Sequence, residues 1–229
     1  MSEFLLVKQI SKRFQPDKEV EVLALNDINL VIGKGEFVVI SGPSGSGKTT
    51  LLNIIGGLDL PSSGEIVLDG KVLTNLSESD LSHVRRDQIG FVFQAYNLLP
   101  VLTARENIEY VMKLQGIENQ KCRIRSHDVA ETLGIEALLD KLPHQLSGGQ
   151  QQRVAVARAV ASTPKLVLAD EPTANLDSKT AASLIDMMER LNREEGVTII
   201  FSSHDPMVIA KAKRSVVLKD GTLVSNLCE

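Results

Sequence analysis

Tryptophan is absent from this 229-residue chain, and six phenylalanines and two tyrosines are its only aromatic residues. Cysteine is nearly absent too. Cys122 and Cys228 stand far apart and form no CxxC pair, which argues against a disulfide scaffold or a cysteine metal site and predicts reduced thiols in a cytosolic chain. No apolar run approaches the roughly 20 residues of a membrane-spanning helix, so any work at a membrane needs a separate partner. The segment Met1–Lys8 has no basic stretch ahead of a long apolar one, which predicts no signal peptide. The net charge of −4 makes no basic field, so nucleic acid is not an expected partner. Repeats and low-complexity segments are also lacking. What remains, 43% apolar and 24% charged residues, is the composition of an ordinary globular protein with enough chain for a real core.

One stretch organises the rest. Gly42-Pro43-Ser44-Gly45-Ser46-Gly47-Lys48-Thr49 follows the apolar run Glu36–Ser41 and precedes Thr50–Ile55. Strand, glycine-rich loop, helix is the context a phosphate-binding P-loop requires. Glycines let the backbone approach an anion closely. Loop N–H groups and the helix N-terminus then direct positive dipole at phosphate oxygens. Lys48 adds a charge for the β- and γ-phosphates, and Thr49 a hydroxyl for Mg²⁺.

Around this stretch the patterning alternates. Phe4–Val7, Val20–Leu25 and Ile28–Ile32 read as strands. Phe14 falls between them in a polar loop, either as a satellite of the core or as a ring for a nucleobase to stack on. Glu65–Gly70 is a strand ending in an Asp-Gly hairpin signal. Ser77 opens a short helix through Arg86, and Ile89–Phe93 is a buried strand ending at Gln94. Thr103 and Glu106 form a capping box for a helix stopped by Gly116. Residues 126–142 predict one or two further helices. Ser147 caps a helix closed by Pro164. Leu166–Asp170 and Val197–Phe201 are buried strands, separated by an amphipathic helix over Ser178–Glu195 with Leu184, Met188 and Leu191 inward. Asp205 caps a helix with Pro206 at its first position, and Ser215–Val224 is a hairpin on Asp220-Gly221. Residues 95–163 therefore form a mainly helical section inserted between core segments 1–94 and 164–229.

Buried strands alternating with helices predict an α/β fold with a mostly parallel sheet. Ligands in such sheets bind at the C-terminal strand ends. The P-loop, Gln94, Asp170, Glu171 and His204 all follow such strands, so they are expected to share one pocket. Beside a P-loop, Asp170 would hold Mg²⁺ and Glu171 would act as general base on an attacking water. Gln94 would bind Mg²⁺ or hold that water, and His204 would hydrogen-bond a γ-phosphate oxygen. Ser147-Gly148-Gly149-Gln150 makes a second helix N-terminus suited to an anion. One chain cannot easily wrap both sites around one triphosphate, whereas a two-fold dimer can share them.

In order, Gly42–Thr49, Gln94, Leu146–Gln150, Leu166–Glu171, Asn175–Asp177 and His204 resemble the Walker A, Q-loop, signature, Walker B, D-loop and H-loop of the ATP-binding cassette (ABC) ATPases. The likeness covers essentially the whole chain. Asn53–Asp59, Arg85–Gln94, Asn97–Pro100, Leu102-Thr103 and Glu106–Ile108 are further similar to the branch serving lipoprotein release, macrolide export and cell division, the LolD, MacB and FtsE type. The resemblance implies a P-loop NTPase (RecA-like) core, an N-terminal antiparallel β subdomain and an inserted α-helical subdomain. It implies an ATPase using ATP and Mg²⁺, with Phe14, Gly42 to Thr49, Thr50, Gln94 and His204 around the nucleotide. Thr49, Gln94 and Asp170 would hold the metal, and Lys48, Gln94, Glu171 and His204 would serve the reaction. Ser147–Gln150 and Asp177 would act across a homodimer. An integral membrane permease would be the other partner, with the chain peripheral on the cytoplasmic face of the inner membrane. Phe14 stands where Tyr is common, Ser203 where Thr is common, and Asn175 where a small residue is usual. The alternatives are a soluble ABC ATPase of DNA repair or translation, and a weakly hydrolysing cell-division scaffold.

Overall fold

The computed structural model describes residues 3–17 and 20–228. Two sheets carry the fold. The first is antiparallel, in the order β2-β1-β4-β5, from β1 (Glu3–Asp17), β2 (Val20–Gly33), β4 (Ser63–Leu68) and β5 (Lys71–Val72). The second has the order β10-β9-β3-β8-β7-β6. It comprises β3 (Phe37–Ser41), β6 (Ile89–Val92), β7 (Leu166–Ala169), β8 (Thr198–Ser203), β9 (Arg214–Lys219) and β10 (Thr222–Cys228). Its pairings are parallel except for the β9–β10 hairpin. This is the mixed α/β architecture expected for a P-loop NTPase.

Side-chain alternation along the buried strands splits the interior into two cores. Phe37, Val39, Val167, Ala169, Ile199 and Phe201 face one side. Val38, Ile40, Leu166, Leu168 and Ile200 face the other. The second side meets the antiparallel sheet and α1 (Lys48–Ile55), which buries Leu51, Leu52, Ile54 and Ile55. The first meets the helical section: α3 (Ala104–Leu114), α4 (Asn119–Thr132) and α5 (Gly148–Ala161), together with α6 (Ser178–Glu195). The inserted helices thus share one continuous core with the sheet. Leu184, Met188 and Leu191 of α6 are inward, and the Phe37 and Phe201 rings meet at 5.0 Å. Two short helices complete the set, α2 (Glu78–Gln88) and α7 (Pro206–Ile209). No helix among the described residues is long and apolar enough to cross a membrane.

Three expectations are corrected. Val20–Gly33 is one strand, not two, and Phe14 lies within β1 instead of a loop. Two of the register irregularities between β1 and β2 fall where Gln9 and Asp27 adopt φ of 49° and 50°. There the Gln9 N–H donates to Asn29 Oδ1 and the Asp27 N–H to Ser11 Oγ, both at 3.0 Å, so pairing resumes beyond each bulge. The helix expected over 126–142 begins earlier, at Asn119, and ends at Thr132. Gly134 at φ 62° turns the chain, and only short 3₁₀ turns follow, at Glu136–Leu138 and Pro143–Gln145. Cys122 is a buried free thiol, pushed up from its ordinary pKa by that burial. The side chain of Cys228, with Met1 and Ser2 of the N-terminal segment, lies outside the described residues.

Candidate active site

The parallel sheet brings the C-terminal ends of β3, β6, β7 and β8 together. A cleft of about 620 Å³ opens there, lined by Ser44, Gly45, Gly47, Lys48, Thr49, Thr50, Gln94, Glu171 and His204, among others. The loop after β3 needs its glycines. Gly42 has φ 148°, and a Cβ there would sit 2.0 Å from the Leu218 carbonyl oxygen. Gly47 has φ 102° and stands at the N-cap of α1. An unpaired helix N-terminus, flanked by residues that admit close backbone approach, suits an anion. Ser46 Oγ is buried and has no hydrogen-bond partner, which leaves a polar atom to be satisfied by a bound group. Lys48 is buried, and its Nζ donates to the carbonyls of Gly42 and Pro43 at 2.8 and 3.0 Å.

The acids follow β7. Asp170 accepts from Thr49 Oγ1 at 2.9 and 3.1 Å and from Ser202 Oγ at 2.7 Å. Ser202 Oγ in turn accepts the Glu171 N–H at 2.8 Å. Glu171 has φ 45°, a left-handed backbone that costs an ordinary residue on the order of 1 kcal/mol. Its carboxylate lies 3.6 Å from Lys48 Nζ and 3.0 Å from His204 Nδ1. Among the described residues no cluster of three or more His, Cys, Asp and Glu is gathered for a metal ion. Mg²⁺ asks for less from a protein: one or two hard oxygens plus substrate phosphates. The Thr49 hydroxyl and Asp170 carboxylate, in contact beside an anion-ready loop, fit that demand.

Gln94 lines the cleft, and its main-chain oxygen accepts from Asn175 Nδ2 at 3.1 Å. Phe14 is not on the cleft wall. It is 41% exposed, pairs across strands with Val22, and holds Lys12 Nζ 4.9 Å from its ring centroid. Val22, Leu23 and Ala24 of β2 line the cleft instead. Asp220 and Gly221, expected only as a hairpin turn, also line it. The Gly221 N–H donates to Ser46 O at 3.1 Å, bracing the loop from behind. Ser202 was unanticipated as well; the signal was a polar pair, Ser202-Ser203, inside an otherwise apolar strand.

Ser147 to Gln150 lie elsewhere. Ser147 Oγ accepts the Gln150 N–H at 3.4 Å, and Gln150 Oε1 accepts the Ser147 N–H at 2.9 Å, a reciprocal cap on α5. These residues line a second cavity of about 500 Å³ with Arg153, Asn175, Asp177 and Thr180. It shares no lining residue with the first. Asp177 caps α6, accepting the Lys179 and Thr180 N–H groups at 3.1 Å. The Thr180 hydroxyl, with the capped backbone, holds this carboxyl below the usual aspartate range.

A family profile described as ABC transporter matches residues 25–174. The uncharacterized ABC transporter ATP-binding protein MJ0796 of Methanocaldococcus jannaschii is 45% identical over 221 residues, 94% of this chain and 93% of that one. The macrolide export ATP-binding/permease protein MacB 1/2 of Paracoccus denitrificans is 44% identical over 214 residues, 93% of this chain but 32% of its own length. A solved dimeric structure of MJ0796, in a post-hydrolysis state bound to ADP and Pi, matches with a TM-score of 0.91 at 41% identity over 98% of both chains. With a P-loop cleft, an acid pair after β7 and relatives of this closeness, the chain belongs to the ABC transporter family as an ATP-binding, ATP-hydrolysing subunit.

Proposed function

We propose that two copies of this chain close around two ATP molecules and drive a separate membrane subunit. The observation that carries this is the separation of the two anion-ready sites. The P-loop cleft and the Ser147–Gln150 cavity share no lining residue. A two-fold dimer lets each copy bring its Ser147 region, with Asp177, to the ATP on the other copy's P-loop. The dimeric state of the MJ0796 relative supports the same arrangement.

Within each site, Ser44 to Thr50, Lys48 among them, bind the phosphates, and Val22 and Leu23 on the cleft wall, with Phe14 beyond it paired to Val22, offer an apolar edge for the adenine. Mg²⁺, held by Thr49, Asp170 and Gln94, would neutralise charge on the phosphates. Glu171 accepts a proton from water as its oxygen attacks the γ-phosphorus. The bond to the β-phosphate oxygen breaks, and ADP and phosphate leave. Lys48 and His204 turn from Glu171 to the γ-phosphate oxygens. The fusion of an ATP-binding part to a permease in the MacB relative supports a membrane partner of the same branch. This chain would then sit on the cytoplasmic face of the inner membrane through that partner, exporting or releasing its cargo.

The shared-site reading is tested by mixing two inactive variants. Lys48→Ala disables its own P-loop, and Ser147→Arg disables its own signature region. Random pairing makes half of the dimers mixed, each with one intact composite site, so about a quarter of the parental ATPase rate returns. No recovery on mixing would show that each site is complete within one chain. Affinity purification from detergent-solubilised membranes, with mass spectrometry, tests the membrane partner; recovery of the chain without any membrane protein would overturn that part.

A further inference from the structure

We propose that Asn175 is a positioning residue that sets Gln94 for ATP hydrolysis. The residue stands between the two sites. It lines the Ser147 cavity, while its Nδ2 donates to the Gln94 main-chain oxygen at 3.1 Å, on the wall of the P-loop cleft. Gln94 and Asn175 are 81 positions apart, so only the fold joins them.

The chain after Gln94 makes tight local turns, with the Tyr96 N–H on Phe93 O at 3.1 Å and the Asn97 N–H on Ala95 O at 2.6 Å, and Asn107 holds Leu99 beyond them. Tyr96 and Asn97 are consecutive non-glycine residues at φ 60° and 50°, a left-handed backbone that asparagine tolerates and tyrosine does not favour. Both of their carbonyls are captured by the Arg158 guanidinium of α5, that of Tyr96 at 2.9 Å. Asn175 captures the carbonyl just upstream. The strained segment is thereby tied at its far end to the helix that Ser147 caps, and at its near end to the loop that Asp177 closes. A small side chain at position 175 could not supply the near tie. The Asn175 side chain is exposed and its hydrogen bond is neutral. Losing it changes where Gln94 rests without unfolding the chain.

The consequence is a rate effect that passes through Gln94. Loss of one neutral hydrogen bond is worth about a two- to tenfold change in an equilibrium. Asn175→Ala is therefore expected to lower kcat by about two- to tenfold, with KM for ATP changed less than about twofold. Asn175→Leu keeps the volume but not the donor, and should fall equally. The inference rests on the reading of Gln94 as a residue of the ATPase site, so Gln94→Ala is measured alongside. If Asn175 acts through Gln94, adding Asn175→Ala to Gln94→Ala costs nothing further.

Steady-state ATPase assays on the four variants, with thermal melts to confirm equal folding, decide it. Parental kcat in Asn175→Ala, full activity in Asn175→Leu, or multiplied losses in the double variant would each overturn the proposal. Parental kcat in Gln94→Ala would remove the reading of Gln94, and the proposal with it.

Discussion

Both carboxylate oxygens of Glu171 lie 3.0 Å from His204 Nδ1. A carboxylate only accepts, so Nδ1 carries the proton in this arrangement. Lys48 Nζ approaches the same carboxylate at 3.6 Å while also donating to two loop carbonyls. The proposed base is thus held by the two groups assigned above to the γ-phosphate. These contacts occupy both carboxylate oxygens. On the proposed mechanism, a γ-phosphate that draws Lys48 and His204 aside would turn these oxygens towards the attacking water.

Glu171→Gln keeps the size and shape of the side chain, exchanges one acceptor oxygen for an NH2 donor and removes the proposed base. The variant should bind ATP and accumulate as a dimer on size-exclusion chromatography, with turnover reduced by about 10²-fold or more. Parental turnover would remove Glu171 from the role of base.

Ser202 is buried and joins the two acids, donating to Asp170 and accepting from the Glu171 N–H. Ser202→Ala leaves that part-buried N–H unpaired, which costs about 1 kcal/mol of stability. Because the left-handed Glu171 backbone then loses its anchor, kcat should fall beyond what the stability loss explains at temperatures well below the melting point. Urea denaturation and single-turnover assays read the two effects separately. A stable variant with full turnover would show the bridge to be dispensable.

The Asp177 cap gives a pH signature. Its carboxyl is held below the usual aspartate value by the Thr180 hydroxyl and the capped N–H groups. A depressed folded-state value means that the contribution is complete above the unfolded value, about 3.9. It is lost as pH falls through the folded value. Asp177→Asn retains a capping oxygen without the charge. The melting-temperature gap between parent and variant should be constant from pH 7 to pH 5 and close in more acidic buffer. A gap that widens on acidification contradicts this account of the cap.

Much of this fold is readable from local chemistry. Ser77, Thr103, Ser147 and Asp205 each cap the helix expected of them, because a cap is made between neighbours in sequence. The boundaries of α6, Ser178 to Glu195, match the amphipathic period and the stop at Gly196. Short-range reading failed where a distant partner decides. Asn29 and Ser11 let the antiparallel strands continue through residues that look like breaks. The helix after Gly116 starts at Asn119, although Glu118 supplies no side-chain cap and the stretch has little amphipathic pattern. Its Cys122, Val129 and Ala130 are buried in the shared core, and tertiary packing supplies what local propensity does not.

The site divides the same way. Glycines that admit a phosphate, a lysine and a threonine at the start of a helix, and acids ending an apolar strand are local requirements, so their residue types announce them. Convergence on strand C-termini follows from the parallel pattern. Strand order does not, because each parallel neighbour is reached by a long crossover that sequence spacing leaves open. Placing β8 between β3 and β7 is what puts Ser202 under Asp170 and His204 against Glu171. Folding the β9–β10 turn against β2 is what sets Gly221 behind the P-loop and opens the cleft to Val22. The chemistry of each group is carried by its own side chain, while its partners are chosen by contacts between residues 31 to 121 positions apart, which only the packed chain can specify.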